Sequence, residues 1–259
     1  MDKNEHINPH SKIKLKIYKS YLEAYLSIMC NIRYMQNIFI VEPFAGKGIA
    51  DNNEAGSALI SKQVIEKTDH KRKDIFLILN DKQFAPNLVE NIHPDGKHIH
   101  VYNKDANICI QKFLDYTQKS GCHKLFFIDP WGYTQLTKDT YDKLFSNNSL
   151  DTLIFIPIYH IYRFLRKEIN ATQLKPIANF LSDIGIDEKV VQKCSNEQDF
   201  ILQIQDTLKQ RAKTDFVYYK IIKNTTHNSE YALFFITKNI LGGEKFLEAL
   251  DKVKEQDLF

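Results

Sequence analysis

The sequence is poor in the residues that mark several common protein classes. Its four cysteines, Cys30, Cys109, Cys122 and Cys194, include no C-x-x-C pair. That spacing argues against a zinc ribbon or a disulfide scaffold and for reduced, intracellular thiols. No run approaches the roughly 20 apolar residues that a membrane helix needs, and the longest clean stretches, such as LIFIPI at 153–158, have strand length. The opening MDKNEHINPHSK carries no apolar core of a signal peptide, so a cytoplasmic location without a membrane partner is expected. Net charge is scarce as well: 35 basic residues against 32 acidic ones leave +3, which permits a nucleic-acid partner without requiring one. No Gly/Ser- or Pro-rich linker divides the 259 residues and no repeat is visible, so one domain spanning 1–259 is expected.

What is present is an alternation of two periodicities. Leu15, Tyr18, Leu22, Tyr25 and Met29 recur at helical spacing and predict an amphipathic helix over 12–30. β-branched and aromatic runs predict strands at 37–41, 75–79, 99–102, 125–128 and 152–157. Helices are expected between them, at 58–67, 84–92, 106–119 and 137–146. This order implies parallel β–α–β units in a doubly wound sheet with helices on both faces. Residues 160–212 then read as charged helices, with Gly185 at a break. FVYYKII (216–222) and YALFFIT (231–237) flank the polar turn KNTTHNSE and read as an antiparallel pair, before a closing helix at 241–253. The whole resembles the α/β layout of the Rossmann-like methyltransferase fold, so a seven-stranded, mostly parallel sheet with a terminal antiparallel hairpin and a helical insertion near 160–212 is expected.

Chemistry concentrates where the strands end. FIVEPFAGKG at 39–48 delivers Glu42 from a strand into a turn, where Gly46 and Gly48 let the backbone pass close to a ligand. The third glycine of a dinucleotide fingerprint is missing, and no P-loop occurs. Strand two ends in Asn80-Asp81, strand three is followed by Asp105-Ala106, and strand four runs into Asp129-Pro130-Trp131-Gly132-Tyr133. Asp105 is well placed to cap the helix it opens. Pro157, Tyr159, His160, Arg163, Arg166 and Lys167 follow strand five, where a basic helix can hold phosphates or simply face solvent. Lys71-Arg72-Lys73 reads as a solvated loop at the opposite edge, and His93, His98 and His100 read as surface histidines because no carboxylate or cysteine spacing completes a metal site. No P-D-[DE]-x-K or H-N-H arrangement supports a nuclease.

VEPFAGKG resembles the first motif of S-adenosylmethionine-dependent methyltransferases of the adenine-N6 kind. The wider string IFIVEPFAGKGIADNNEAGSALIS is similar to the three-Cys-motif partner family, named for a neighbouring protein with three cysteines. Lys14 and Tyr21-Leu22 before the motif, Gly56-Ser57 after it, and then KDAN (104–107), FFIDPWG (126–132) and YALFFITKN (231–239) match that family in order. The resemblance implies S-adenosylmethionine as cofactor, cradled by Glu42, Pro43, Phe44, Ala45, Gly46 and Gly48, with Glu42 near its methionine end. Asn80 or Asp81 would accept from the ribose hydroxyls and Asp105, beside Ala106, from the adenine amino group; simple turn and cap roles are the alternatives. Lys14 would meet the cofactor carboxylate or lie in solvent.

Adenine-amino methyltransferases carry [DNS]-P-P-[FYW] after strand four. Asp129 and Pro130 keep the first half of that motif, while Trp131-Gly132 replaces Pro-aromatic. An exocyclic amine is a poor nucleophile, and the Asp129 carboxylate with the Pro130 carbonyl would accept its hydrogens while Trp131 or Tyr133 stacks on the extruded base. The resemblance therefore implies methyl transfer to an amine of a DNA or RNA base. Arg163 and Arg166 would sit on phosphates, a three-Cys-motif protein would be a possible partner, and no metal is required. The rival reading is a non-catalytic scaffold that binds cofactor or nucleic acid alongside a partner.

Overall fold

The computed structural model describes residues 9–50, 53–118, 121–132, 134–165, 171–224 and 229–256. Strands β1 (Asn37–Glu42), β2 (Asp74–Asn80), β3 (Ile99–Tyr102), β4 (Cys122–Ile128) and β5 (Leu150–Ile156) run parallel. Strands β6 (Val217–Asn224) and β7 (Ser229–Ile236) form a hairpin, and β7 pairs antiparallel with β5. All seven belong to one sheet in the order β3-β2-β1-β4-β5-β7-β6. The central strands are buried on both faces, which is why they read as continuous apolar runs rather than alternations. The order turns back between β1 and β4, and at such a switch point open α/β sheets bind ligands beyond the carboxyl ends of the strands.

Two apolar layers cover the sheet. One face packs against α4 (Ala106–Tyr116), α5 (Lys138–Ser146) and the helices inserted after β5, which are α6 (Ile158–Leu165), α7 (Ala171–Ile184), α8 (Glu188–Gln192) and α9 (Glu197–Ala212). The other packs against α1 (Pro9–Met29), α2 (Ser57–Lys67), α3 (Ala85–Ile92) and α10 (Ile240–Gln256). Among the described residues no helix is long and apolar enough to cross a membrane.

Two local departures have physical causes. Strand β4 begins at Cys122, three residues before its apolar run, because His123 and Lys124 are polar yet enclosed: the Tyr25 hydroxyl meets His123 Nδ1 at 2.9 Å, and Lys124 is buried in the row of Phe126. In the Lys71-Arg72-Lys73 loop the first two residues are exposed, as expected. The Lys73 ammonium instead donates to the carbonyls of Ile32 at 2.9 Å and Met35 at 2.6 Å, fastening the turn between α1 and β1.

One face of α1 carries Lys14, Tyr18, Tyr21 and Tyr25, spaced so that all four point at the sheet. Tyr21 donates to Asp151 Oδ2 at 3.0 Å, while Thr237 donates to its Oδ1 at 2.6 Å. Burial raises the Asp151 carboxyl above its ordinary range and lowers the His123 imidazole below its own. A buried acceptor that loses its donor costs about 1–3 kcal/mol. Tyr21→Phe should therefore lower stability in urea unfolding by about that much, whereas Tyr34→Phe, at a position 75% exposed, should leave the midpoint unchanged.

Candidate functional site

The turn after β1 is built around two glycines in the left-handed region, Gly46 at φ +62° and Gly48 at φ +79°. A Cβ on Gly48 would lie 3.1 Å from both Leu88 and Ile92, so that glycine lets the turn settle on α3. Gly46 differs: a Cβ there would meet nothing within 4 Å, leaving open space above the turn. Pro43 and Ala45 are buried beneath it, and Phe44 packs on the α4 side of the sheet.

The turns after β1, β2 and β3 are stitched together by Asn80 and Asp81. Asn80 is buried, donates to the carbonyls of Pro43 (3.0 Å) and Lys104 (3.1 Å), and accepts from the Lys104 amide at 3.0 Å. Asp81, also buried, accepts from the amides of Gln83 and Phe84 through Oδ1, each at 2.8 Å, and from Gly46 through Oδ2 at 3.0 Å. Both side chains, expected either to accept from a ribose or to hold a turn, are thus seen in the turn role, engaged by backbone groups. Asp105 caps α4 through Oδ1, which accepts from the Asn107 amide at 3.0 Å. Its Oδ2 is 3.9 Å from the Lys82 ammonium, and the side chain is partly open to solvent. The buried Ala106 follows it.

Two carboxylates lie at the switch point. Glu42 is fully buried; its Oε1 accepts from Tyr18 at 3.1 Å and from Ser61 at 2.5 Å. Its Oε2 has no hydrogen-bond partner of ordinary geometry among the described residues, although the Ser57 hydroxyl lies close enough to favour the ionised form. Burial pushes the Glu42 carboxyl up to about 7; the hydroxyls of Ser57, Ser61 and Tyr18 restrain the rise, and the neighbouring charge of Asp129 adds to it. Asp129 directly follows β4 and pairs through Oδ2 with Lys14. Lys14 is buried rather than solvated, with its ammonium 4.5 Å from the centroid of the Phe155 ring. Pro130 follows, then Trp131, which is 67% exposed with its ring centroid 6.2 Å from that of Phe84.

Thus Glu42, Gly46, Asp129 and Pro130 lie together at the carboxyl ends of β1 and β4. Tyr133, Arg166 and Lys167 lie outside the described residues. Arg163 is exposed on α6, its guanidinium 5.9 Å from the centroid of the Tyr159 ring. His93 ends α3 in a left-handed conformation, and His98 sits beside Asp74 and Asp95. No group of three or more metal-ligating side chains occurs among the described residues. Sequence reasoning missed Tyr18, Ser61 and Phe84. Tyr18 reads in the sequence as part of an apolar stripe, and its recurrence four residues after Lys14 is the signal that its hydroxyl shares that lysine's face.

Strand order, hairpin and switch-point turn together define a Rossmann-like methyltransferase fold. No family model matches the chain, and no curated protein does. Among solved structures, a Legionella pneumophila protein of the family DUF519 is similar with a TM-score of 0.55 and 13% identity, over 96% of this chain and 92% of its own. A putative O-methyltransferase from Klebsiella pneumoniae matches at a TM-score of 0.41 and 11% identity, over 85% of this chain and 80% of its own. At 13% identity the likeness to the Legionella protein is one of fold.

Glu42 makes stability depend on pH. An unfolded glutamate loses its proton near pH 4.3, whereas the folded carboxyl keeps it up to about 7. The native state binds the extra proton in that window, so stability falls as pH rises through it, by on the order of 3 kcal/mol from this group. Urea midpoints of Glu42→Gln measured from pH 4 to pH 8 should lack that part of the slope. A slope identical to wild type would show that Glu42 titrates normally.

Proposed function

We propose that the protein is an S-adenosylmethionine-dependent methyltransferase acting on an exocyclic amine of a nucleic-acid base. The observation that carries this reading is the meeting of Asp129-Pro130 with the open Gly46 turn and the buried Glu42 at the switch point. The residues fit such a cofactor. Space is free above Gly46, and Glu42 keeps an enclosed oxygen without a partner of ordinary geometry among the described residues, suited to an ammonium or N–H donor. Bound there, the cofactor supplies a methyl group on a sulfonium, a leaving group that needs no metal.

The chain's own residues do the rest. Pro43, Phe44, Ala45, Gly46 and Gly48 shape the cradle, Glu42 holds the cationic end, and Asp105 offers Oδ2 to the adenine amino group while Oδ1 caps its helix. Asp129, oriented by Lys14 through Oδ2, presents Oδ1 to one hydrogen of the target amine, and the Pro130 carbonyl takes the other. Drawing the hydrogens aside favours a pyramidal nitrogen with its lone pair aimed at the methyl group. Arg163 and Arg166 contact phosphates of DNA or RNA. The Trp131-Gly132 replacement favours a second reading, a non-catalytic member of a two-protein system whose partner is a three-Cys-motif protein.

Two measurements separate these readings. Gly46→Ala and Gly96→Ala each put a Cβ on a left-handed residue, φ +62° and φ +69°, with nothing of the protein in the way, and each costs about 1–2 kcal/mol of stability. Only Gly46→Ala should abolish calorimetric binding of S-adenosylhomocysteine; equal affinity in both variants would remove the turn from the site.

The second measurement concerns Asp129. Asp129→Ala alone strands a buried lysine, at a cost of about 3–5 kcal/mol, so the informative variant is Lys14→Met/Asp129→Ala. It should fold and bind cofactor, while methyl transfer to nucleic acid drops by about a hundredfold or more, because the lost contact strengthens in the transition state. Undiminished transfer would displace Asp129 from the reaction.

A further inference from the structure

Three side chains from three neighbouring turns meet above the site. Phe84 follows β2, Lys47 belongs to the turn after β1, and Trp131 follows β4, while β1 lies between β2 and β4 in the sheet. Adjacent strands are about 4.8 Å apart, so β2 and β4 are separated by about 10 Å. Side chains from their ends touch only by reaching across the end of β1. The ring centroids of Phe84 and Trp131 are 6.2 Å apart at an interplanar angle of 48°, and the Lys47 ammonium lies 5.2 Å from the Phe84 centroid. The two rings therefore bridge the turn that holds Gly46.

The partners are unequally fixed. Phe84 is half-buried, and its amide is bound by Asp81 at 2.8 Å, the same carboxylate that holds Gly46. Its ring also carries the Lys47 cation, an attraction that favours a set ring orientation. Trp131 is 67% exposed, and around the following Gly132 a Cβ would meet nothing within 4 Å. A large apolar ring left in water beside an anchored one is surface that gains by being covered.

We infer that Phe84 and Trp131 are the two jaws of a clamp on the purine ring of the cofactor, Phe84 fixed and Trp131 moving. The inference rests on the cofactor reading above. A planar base between two rings needs about 3.5 Å on each side, about 7 Å in all, whereas the two rings now stand tilted at 48° with centroids 6.2 Å apart, which leaves no parallel slot. On this proposal the exposed Trp131 side chain turns to open one, while Phe84, whose amide is held by Asp81, stays in place. On this account Trp131 departs from the Pro-aromatic pattern because it serves the cofactor, and it is not the platform for the target base.

Trp131 is the sole tryptophan of the chain, so tryptophan emission reports this ring alone. S-adenosylhomocysteine is titrated into the wild-type protein while emission and heat are followed in parallel. The clamp predicts saturable quenching with the affinity given by the heat. Adenosine should also quench, and methionine should not. Trp131→Ala and Phe84→Ala should each weaken S-adenosylhomocysteine about tenfold, as expected for loss of one stacking surface, whereas Trp131→Phe should stay close to wild type. Heat of binding with unchanged emission, and full affinity in Trp131→Ala, would overturn the clamp and leave the cofactor reading standing. Emission that responds to an adenine-containing oligonucleotide but not to S-adenosylhomocysteine would also overturn it, returning Trp131 to the target base. Absence of any heat would overturn both the clamp and the cofactor reading.

Discussion

Polar groups enclosed by the sheet must find donors, and α1 supplies them. Lys14, Tyr18, Tyr21 and Tyr25 occupy one face of that helix and reach Asp129, Glu42, Asp151 and His123 in turn. Each of these partners is attached to, or directly follows, a central strand. Leaving any of the buried ones without its hydrogen bond costs more than the bond itself contributes, because water is excluded. The helix is thus held in one register by four polar contacts as well as by its apolar neighbours. Sliding by a turn would move every hydroxyl off its partner. The same register places the lysine on the carboxylate after β4 and the tyrosine on the carboxylate that ends β1. Fold and site are therefore positioned by one element.

That coupling shapes the chemistry. Glu42 is near enough to Asp129 to sense its charge, yet the surroundings of the two differ. One is sealed under hydroxyls and pushed up to about 7; the other shares its charge with a buried ammonium and stays partly open. A cationic ligand arriving above Gly46 would find the sealed carboxyl with an oxygen to spare, while the Asp129 side chain remains available to a second molecule. Burial sets the two acids apart, since the low-dielectric site penalises charge on the enclosed one. Asn80 and Asp81 tie the three turns together, and Asp81 holds the amide of Gly46 directly.

Much of the fold was legible in the sequence because its central strands are buried on both faces and read as unbroken apolar runs. The edge strands β3 and β6 were legible instead from short β-branched and aromatic stretches, and the switch from parallel crossovers to a hairpin and the helical insertion from the order of the elements. Strand β4 shows the limit: His123 and Lys124 look like loop residues until a tyrosine from another element and the aromatic row beside them are in place. The candidate site was legible where a short motif carries it, at Glu42, Gly46, Asp129 and Pro130. It was not legible where function depends on what a side chain meets across the fold. Lys14 was open between cofactor and solvent and instead pairs with Asp129. Asn80 and Asp81 looked like ligand acceptors because their oxygens are not visibly engaged in one dimension. Phe84 gave no local signal at all, since its partners come from two other turns.

The account stands or falls on methyl transfer. Purified protein, incubated with S-adenosylmethionine labelled on its methyl group, is offered total DNA, total RNA and protein in parallel, with and without a three-Cys-motif partner. Label entering DNA or RNA as a base methylated on an exocyclic amine is the result expected from the proposed function. Tight cofactor binding with no label in any nucleic acid, under either condition, would contradict it.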